Sequence, residues 1–318
     1  MKLGKYILAS AVALSLASAS AAIAEYPEKS ISVVVGYSAG GGTDVMARTV
    51  APFVERYLGS DVSIVVKNVP GASGQIGLLE VVGSDADGYT LGTYNLPGMM
   101  ARTLDREPRY GAGDFTFIAN VVNDPNVLVT SKSSDLDTLE KLIAVALEEP
   151  RAMTAGLSNL GGDDQFFLIK LAKATGAEFT IVPFKGSAPA RAALMGGHVG
   201  MGVLNLSEAL KFQDRLTILG VATAERSPFA PDLPTFAELG FDIVNGSRRG
   251  FIGPADLPDD IRDQLISAFE KAFADPDFQD AMAATGNPTE LTTGDDFKRL
   301  NSAELEQAIQ VWETTPWK

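Results

Sequence analysis

The chain has 318 residues, a formal net charge of −14, 46% hydrophobic residues and no cysteine. The acidic balance argues against nucleic-acid binding, which needs a basic face. The missing cysteines exclude disulfides, thiolate metal sites and a cysteine-linked lipid anchor. The length holds one large domain or two of ordinary size.

The first segment reads as an export signal. Lys2 and Lys5 precede a mostly apolar stretch over residues 6–16, and Ala22, Ile23 and Ala24 give the small-x-small pattern that signal peptidase reads. The stretch is short of the ~20 residues of a membrane span, and serines interrupt it. The expected cut after Ala24 leaves a mature chain from Glu25 free in the periplasm, not lipid-anchored.

Strands and helices then alternate. Ile31–Val35 is a β-branched run and predicts a buried strand. Glycines 40 to 42 follow, then a helix over 44–58 that places Met46, Val50, Phe53, Val54 and Tyr57 on one face. Gly59 ends it and Pro52 sits inside it. Residues 62–66 and 89–94 read as strands, with a second glycine-rich loop and an apolar, helix-compatible run between them. Residues 115–122 and 127–130 are strand-like, with Asn123, Asp124 and Pro125 as a break. Asp137, Thr138, Leu139 and Glu140 read as a capping box that opens a helix to Glu148.

A strand at 152–156, a helix at 165–175, a strand at 179–182 and a helix at 189–195 come next. Strands at 199–204 and 216–222 close that block. The remainder is mainly helical, over 258–274, 276–284 and 295–312. Such alternation predicts parallel sheets covered by helices on both faces. No floppy linker separates two halves, so two lobes would be joined by strands, with 115–122 and 216–222 as the candidate crossings.

Two glycine-rich loops bear on function. Gly36-Tyr37-Ser38-Ala39-Gly40 follows a strand and fits G-x-S-x-G, the nucleophile elbow of a serine hydrolase. Three residues separate it from the helix, too few strands precede it, and the sole histidine, His198, lies in a distant turn. The other reading is anion capture, with glycines admitting a ligand to the backbone and a helix N-terminus aimed back at the loop. The second cluster, from Asn68 through Gly71, Gly74 and Gly77, misses the dinucleotide spacing and lacks its acidic ribose partner. Two such loops at one sheet end would form an amide-lined wall.

These residues carry a resemblance. Tyr26-Pro27, the run Gly40 to Asp44, Asn68 with Pro70-Gly71-Ala72 and Gly74, and Asp87-Gly88-Tyr89-Thr90-Leu91 occur in order. Pro183-Phe184-Lys185-Gly186, Gly196-Gly197-His198-Val199 and Pro231 to Thr235 with Glu238 and Gly240 follow. The chain resembles the solute receptors of tripartite tricarboxylate transporters, the Bug proteins, over essentially its whole mature length. Arg248-Arg249-Gly250 is similar to a segment of some members. The chain departs from the family pattern at Ser73, where glycine is usual, and at Gln165, where histidine is frequent.

The resemblance implies a type II periplasmic binding fold of class α/β, with two lobes closing on a ligand cleft. It also implies a carboxylate ligand and a two-component membrane permease as partner. The first lobe is expected over 25–123 with 222–318, and the second over 124–221. Ligand contacts are expected from Tyr37, Ser38, Ala39, Gly40 and Gly41, and from Ala72, Ser73, Gly74 and Gln75. From the second lobe come Ser158, Gly162, Asp163, Gln165, Lys185, Gly186 and Ser187, and Arg249 is placed to pair with a second ligand carboxylate. No catalytic residue, metal or cofactor is expected, and the protein is expected to be a monomer. The competing readings are a serine hydrolase built on Ser38, a receptor for amino acids, and a periplasmic sensor subunit that binds an organic acid.

Overall fold

The computed structural model describes residues 26–59, 63–105, 107 and 109–317. The export signal and its cleavage point lie outside them. The β-branched run forms β1 (Ile31–Val35), which pairs in parallel with β2 (Ile64–Asn68) and β3 (Thr90–Leu96). The crossovers are helical, through α1 (Gly42–Leu58) and α2 (Gln75–Val82), as parallel pairing requires. A single turn, α3 (Gly98–Ala101), follows β3.

The chain then runs through β4 (Phe115–Ser131), a 17-residue strand shared by two lobes. Its second half carries the second lobe: α4 (Leu139–Glu148), β5 (Thr154–Leu157), α5 (Asp163–Thr175), β6 (Thr180–Pro183), α6 (Ser187–Met195), β7 (Met201–Asn205), α7 (Leu206–Ala209) and β8 (Leu216–Val221). Thr138 caps α4 by accepting from the Lys141 amide at 3.3 Å. The chain returns along β9 (Gly246–Pro254), antiparallel to both β3 and β4. It ends with α8 (Asp259–Ala274), α9 (Pro276–Ala284), β10 (Thr289–Thr293) and α10 (Gly294–Thr314) over the first lobe. The strand order is β2-β1-β3-β9-β4-β7-β5-β6, with β8 and β10 also pairing with β4.

Two expectations about the crossings change. The supposed break at 123–125 lies inside one continuous strand, where Asp124 faces Ser247 and Pro125 faces Gly246 across the β4–β9 ladder. Proline fits because its partner has no side chain: a Cβ on Gly246 would stand 2.8 Å from the Asp124 carbonyl oxygen and 3.1 Å from the Pro125 Cα. The second crossing is β9, not 216–222. Among the described strands β8 pairs only with β4, with one further bridge from Val221 to Thr235, and the segment after it packs Phe236 and Ile243 into the second lobe's core beside Leu128, Phe167 and Leu171.

Each lobe has its own apolar core. In the first, Phe297 of α10 is fully buried edge-on to Phe117 at 5.2 Å and to Tyr94 at 6.3 Å. In the second, Phe167 meets Phe236 at 4.9 Å. The C-terminal tail bridges the two, because Trp317 lies 5.0 Å from Phe166 of α5. Phe297→Ala should lower stability by about 3–5 kcal/mol, the usual range for emptying a buried aromatic site. Urea unfolding followed by circular dichroism measures it, and a loss below ~1 kcal/mol would show that this cluster does not hold the lobe together.

Candidate functional site: a polar cavity between the lobes

The two glycine clusters meet at one end of the first sheet. A Cβ on Gly36 would lie 2.9 Å from the Gly74 Cα, and one on Gly77 would lie 2.9 Å from the Gly36 Cα, so the loops pack backbone on backbone. Asp44 organises the first loop. One carboxylate oxygen accepts from the Gly40 amide at 2.9 Å, and the other accepts from Arg48 and Asn68, both at 2.9 Å. Ser73 sits at φ 57°, in the left-handed region that glycine enters without a Cβ penalty.

Three amides of the first loop are occupied by protein acceptors. Ser38 N donates to the Lys185 carbonyl at 3.1 Å, Gly40 N to Asp44, and Gly42 N to Glu208 Oε1 at 2.7 Å. Lys185 and Glu208 belong to the opposite lobe, so the cleft is closed in this structure. Part of the expected amide wall is thus engaged, and polar side chains together with Gly41, Gly42 and Gly98 line the remaining cavity.

The first lobe contributes Tyr37, Thr43 and Asn95, the second Ser158, Asn159, Asp163, Ser187 and Asn205, and β9 adds Ser247 and Arg249. Asn95 Nδ2 donates to Thr43 Oγ1 at 2.8 Å, and Asn159 Nδ2 donates to the Tyr37 hydroxyl at 3.2 Å. Neither Asn95 Oδ1 nor Asn159 Oδ1 has a partner among the described residues. Burial holds the Tyr37 phenol far above its ordinary value, so it stays a neutral donor.

Arg249 is 2% exposed. Its Nη1 donates to Asp124 Oδ2 at 3.0 Å and its Nη2 to Asn205 Oδ1 at 2.7 Å, while Nε has no partner among the described residues. A Cβ on Gly42 would come within 2.6 Å of Nη1, so glycine at the start of α1 makes room for the guanidinium. Asp124 is fully buried and also accepts from Ser207 Oγ at 2.5 Å. Burial pushes its carboxyl up to about 6 against the downward pull of Arg249.

Of the residues singled out from sequence, Tyr37, Gly41, Ser158, Asp163, Ser187 and Arg249 line this cavity. Ser38, Ala72, Ser73 and Lys185 line a more open groove beside it, with Arg102 and Leu160. Ala39, Gly40, Gly74, Gln75, Gly162 and Gly186 line neither. Gln165 turns back on its own loop, where Oε1 accepts from the Gly161 amide at 2.6 Å, so it fixes the loop instead of facing the cavity. Asn95, Asn159, Asn205 and Ser247 were missed. Asn95 and Asn205 end β3 and β7, where open α/β sheets present ligand-binding groups, and that position was the available signal. Ser38 Oγ donates to the Lys185 carbonyl at 2.8 Å, and His198 is exposed in the turn after α6, so the two form no nucleophile–base pair.

Residues 46–314 match the family described as tripartite tricarboxylate transporter family receptor. The chain is 31% identical over 288 residues to Protein BugT of Bordetella pertussis, covering 89% of this chain and 88% of that protein. It is 31% identical over 281 residues to the UPF0065 protein in the gbd 5′ region of Cupriavidus necator, covering 87% and 85%. Among solved structures, R. palustris Rpa4515 with adipate superposes with a TM-score of 0.84 at 29% identity, over 91% of this chain and 98% of that one.

Two neighbouring carboxylates open α5. Asp163 Oδ2 accepts from Asn126 at 2.7 Å and from Asn205 at 3.1 Å. Asp164 accepts from the Ser158 amide and hydroxyl and, through its other oxygen, from the Gln165 amide at 2.9 Å. Burial first, and the charge of Asp163 second, raise the Asp164 pKa above its ordinary 3.8. A raised acid contributes stability that is complete below the ordinary value and is lost as pH rises through the elevated one. The ligand-free protein should therefore gain stability from Asp164 between about pH 7.5 and pH 5. Asp163→Asn keeps an oxygen for both amide donors and removes the like charge, so it should stabilise more at the higher pH and flatten the profile. Melting temperatures across that interval test it; an unchanged slope in Asp163→Asn would refute the coupling.

Proposed function

Because this chain belongs to the tripartite tricarboxylate transporter receptor family, we propose that it is a periplasmic receptor that captures a small carboxylate and delivers it to a two-component membrane permease. The observation that carries this reading is the guanidinium of Arg249, buried at the floor of a closed interlobe cavity among hydroxyl and amide side chains. Such a site offers an anion a charge-assisted hydrogen bond together with short-range neutral donors, and closure removes the ligand from water. Arg249, Ser247, Thr43 and Tyr37 are the donors that fit this role, while the hydroxyl protons of Ser158 and Ser187 are held by Asp164 and Glu208. Asp163, Asn95 and Asn159 supply acceptors for a hydroxyl or ammonium on the same ligand. The mature receptor begins at Glu25 and acts as a monomer, with no catalytic step.

Lobe closure is the event that a permease would read, and the sequence contains its own reporter. Its two tryptophans, Trp312 and Trp317, sit together at 4.9 Å, and Trp317 also packs on Phe166 of the second lobe. A panel of mono-, di- and tricarboxylates, with sugars and amines as controls, is titrated into refolded, ligand-free protein. A carboxylate at 100 Kd should stabilise by ~2.7 kcal/mol and shift the tryptophan emission. Arg249→Lys, which cannot span both Asp124 and Asn205, should weaken that binding at least tenfold, or ~1.4 kcal/mol. Stabilisation by sugars or amines alone would overturn the reading.

A further inference from the structure

The anion position at the start of α1 is filled by the chain itself. Glu208 stands on α7 of the second lobe, 166 positions from Gly42, and its Oε1 accepts from the Gly42 amide across the cleft at 2.7 Å. The same oxygen accepts from Ser187 Oγ at 2.5 Å and lies 3.4 Å from Arg191 Nη1. Arg191 in turn donates through Nη2 to the Gly40 carbonyl at 3.3 Å, so both partners grip the first loop. The Glu208 side chain is 4% exposed, and Oε2 has no partner among the described residues. Gly42 is thus flanked by two charges of opposite sign, Glu208 at its amide and Arg249 against its Cα.

The geometry is set from two directions. Ser207, the preceding residue, donates to Asp124, which pairs with Arg249, so the Ser207-Glu208 step is tied to the crossing strand while Glu208 reaches the helix. Gly41 has no side chain, and a Cβ there would stand 2.8 Å from Ser187 Oγ. The loop is therefore shaped to admit the Ser187–Glu208 pair. Ser187 and Arg191 share the second lobe with Glu208 and stay beside it when the cleft opens; the Gly42 amide does not. The bond between Glu208 and α1 is made on closure, by a carboxylate, at the helix end that favours negative charge.

We propose that Glu208 is a selectivity-determining residue: a built-in carboxylate that takes the seat at the N-terminus of α1 on closure and so excludes a second ligand carboxylate from it. This rests on the reading of the cleft as a carboxylate site. A ligand carboxylate is directed to the Arg249 side of Gly42, and a ligand whose other end carries a second carboxylate near Gly41 and Ser187 meets a like charge in a low-dielectric site.

Glu208→Gln tests this, because it keeps a side-chain oxygen for Gly42 N and removes the charge. Calorimetry on ligand-free wild type and variant compares two pairs of equal chain length, adipate with hexanoate and succinate with butyrate. The dicarboxylate should gain about tenfold over its monocarboxylate partner in the variant. A ratio that moves less than about twofold in both pairs overturns the proposal. Failure of both proteins to bind any of the four would instead refute the carboxylate reading of the cleft. A ligand-independent arm then judges the seat. Glu208→Ala strips the interlobe bond, and small-angle scattering of the ligand-free variant should show a larger radius than wild type. An equal radius overturns the inference.

Discussion

A buried guanidinium at the point where the chain crosses between lobes constrains much of this architecture. Arg249 lies on β9, one of the two strands that join the lobes, and its side chain is almost wholly removed from water. An uncompensated charge there would cost several kcal/mol. Asp124 answers it from the facing crossing strand and Asn205 from the end of β7. Asp124 needs its own donors, and Ser207 supplies both an amide and a hydroxyl. Gly42 must lack a side chain, since the guanidinium fills the space that a Cβ would occupy. One charge thus fixes a residue on each lobe and on both crossing strands, and it brings a hydrogen-bonding edge to the cavity between them.

The same geometry limits the backbone amides left for a ligand. In the closed form the Ser38, Gly40 and Gly42 amides donate to Lys185, Asp44 and Glu208. Those bonds close the cleft and fix the loop, so they are unavailable to a ligand without reopening it. Besides Arg249, Asp163 and three glycines, the cavity that remains is lined by Asn, Ser, Thr and Tyr, whose neutral groups can add short-range hydrogen bonds. Asn95 Oδ1 and Asn159 Oδ1, both unpartnered among the described residues, are the kind of buried atoms that a ligand donor would satisfy.

Much of the fold was legible because its elements are strongly patterned. The β-branched run of β1 and the one-sided apolar face of α1 each carry a local signal that the tertiary structure keeps, whereas the capping box read over 137–140 is replaced by a Thr138 cap on the Lys141 amide. β9 carries none: its start reads Gly246-Ser247-Arg248-Arg249-Gly250, and arginine and glycine mark it as a surface loop until its neighbours are known. Pro125 misled for the same reason, because only the glycine opposite it, 121 positions later, lets a strand pass through. At the site, the two glycine loops were recognised as neighbours, yet two amides of the first donate across the cleft to Lys185 and Glu208. Such pairings depend on how the second lobe folds over the first, and no local window contains them. Gln165 shows the converse error. A position at a helix start looked outward, whereas its side chain is spent on the loop that precedes it.

The charge balance of the cleft follows from these contacts. At a net −14 the protein repels anions, but at physiological salt that field fades within about 8 Å. Discrimination therefore falls to groups inside the cavity. Arg249 is offset by Asp124, and Glu208 by Arg191, which leaves Asp163 as the cavity-lining carboxylate with no ion pair among the described residues. A ligand that brought only negative charge would face that carboxylate directly. One that also carries a hydroxyl or an ammonium would instead give Asp163 a donor, while its carboxylate shares the guanidinium edge. The cavity thus carries two chemically different ends: a guanidinium on the crossing strand and a carboxylate at the start of α5. This polarity would orient a small ligand in the cleft even though the protein as a whole repels it.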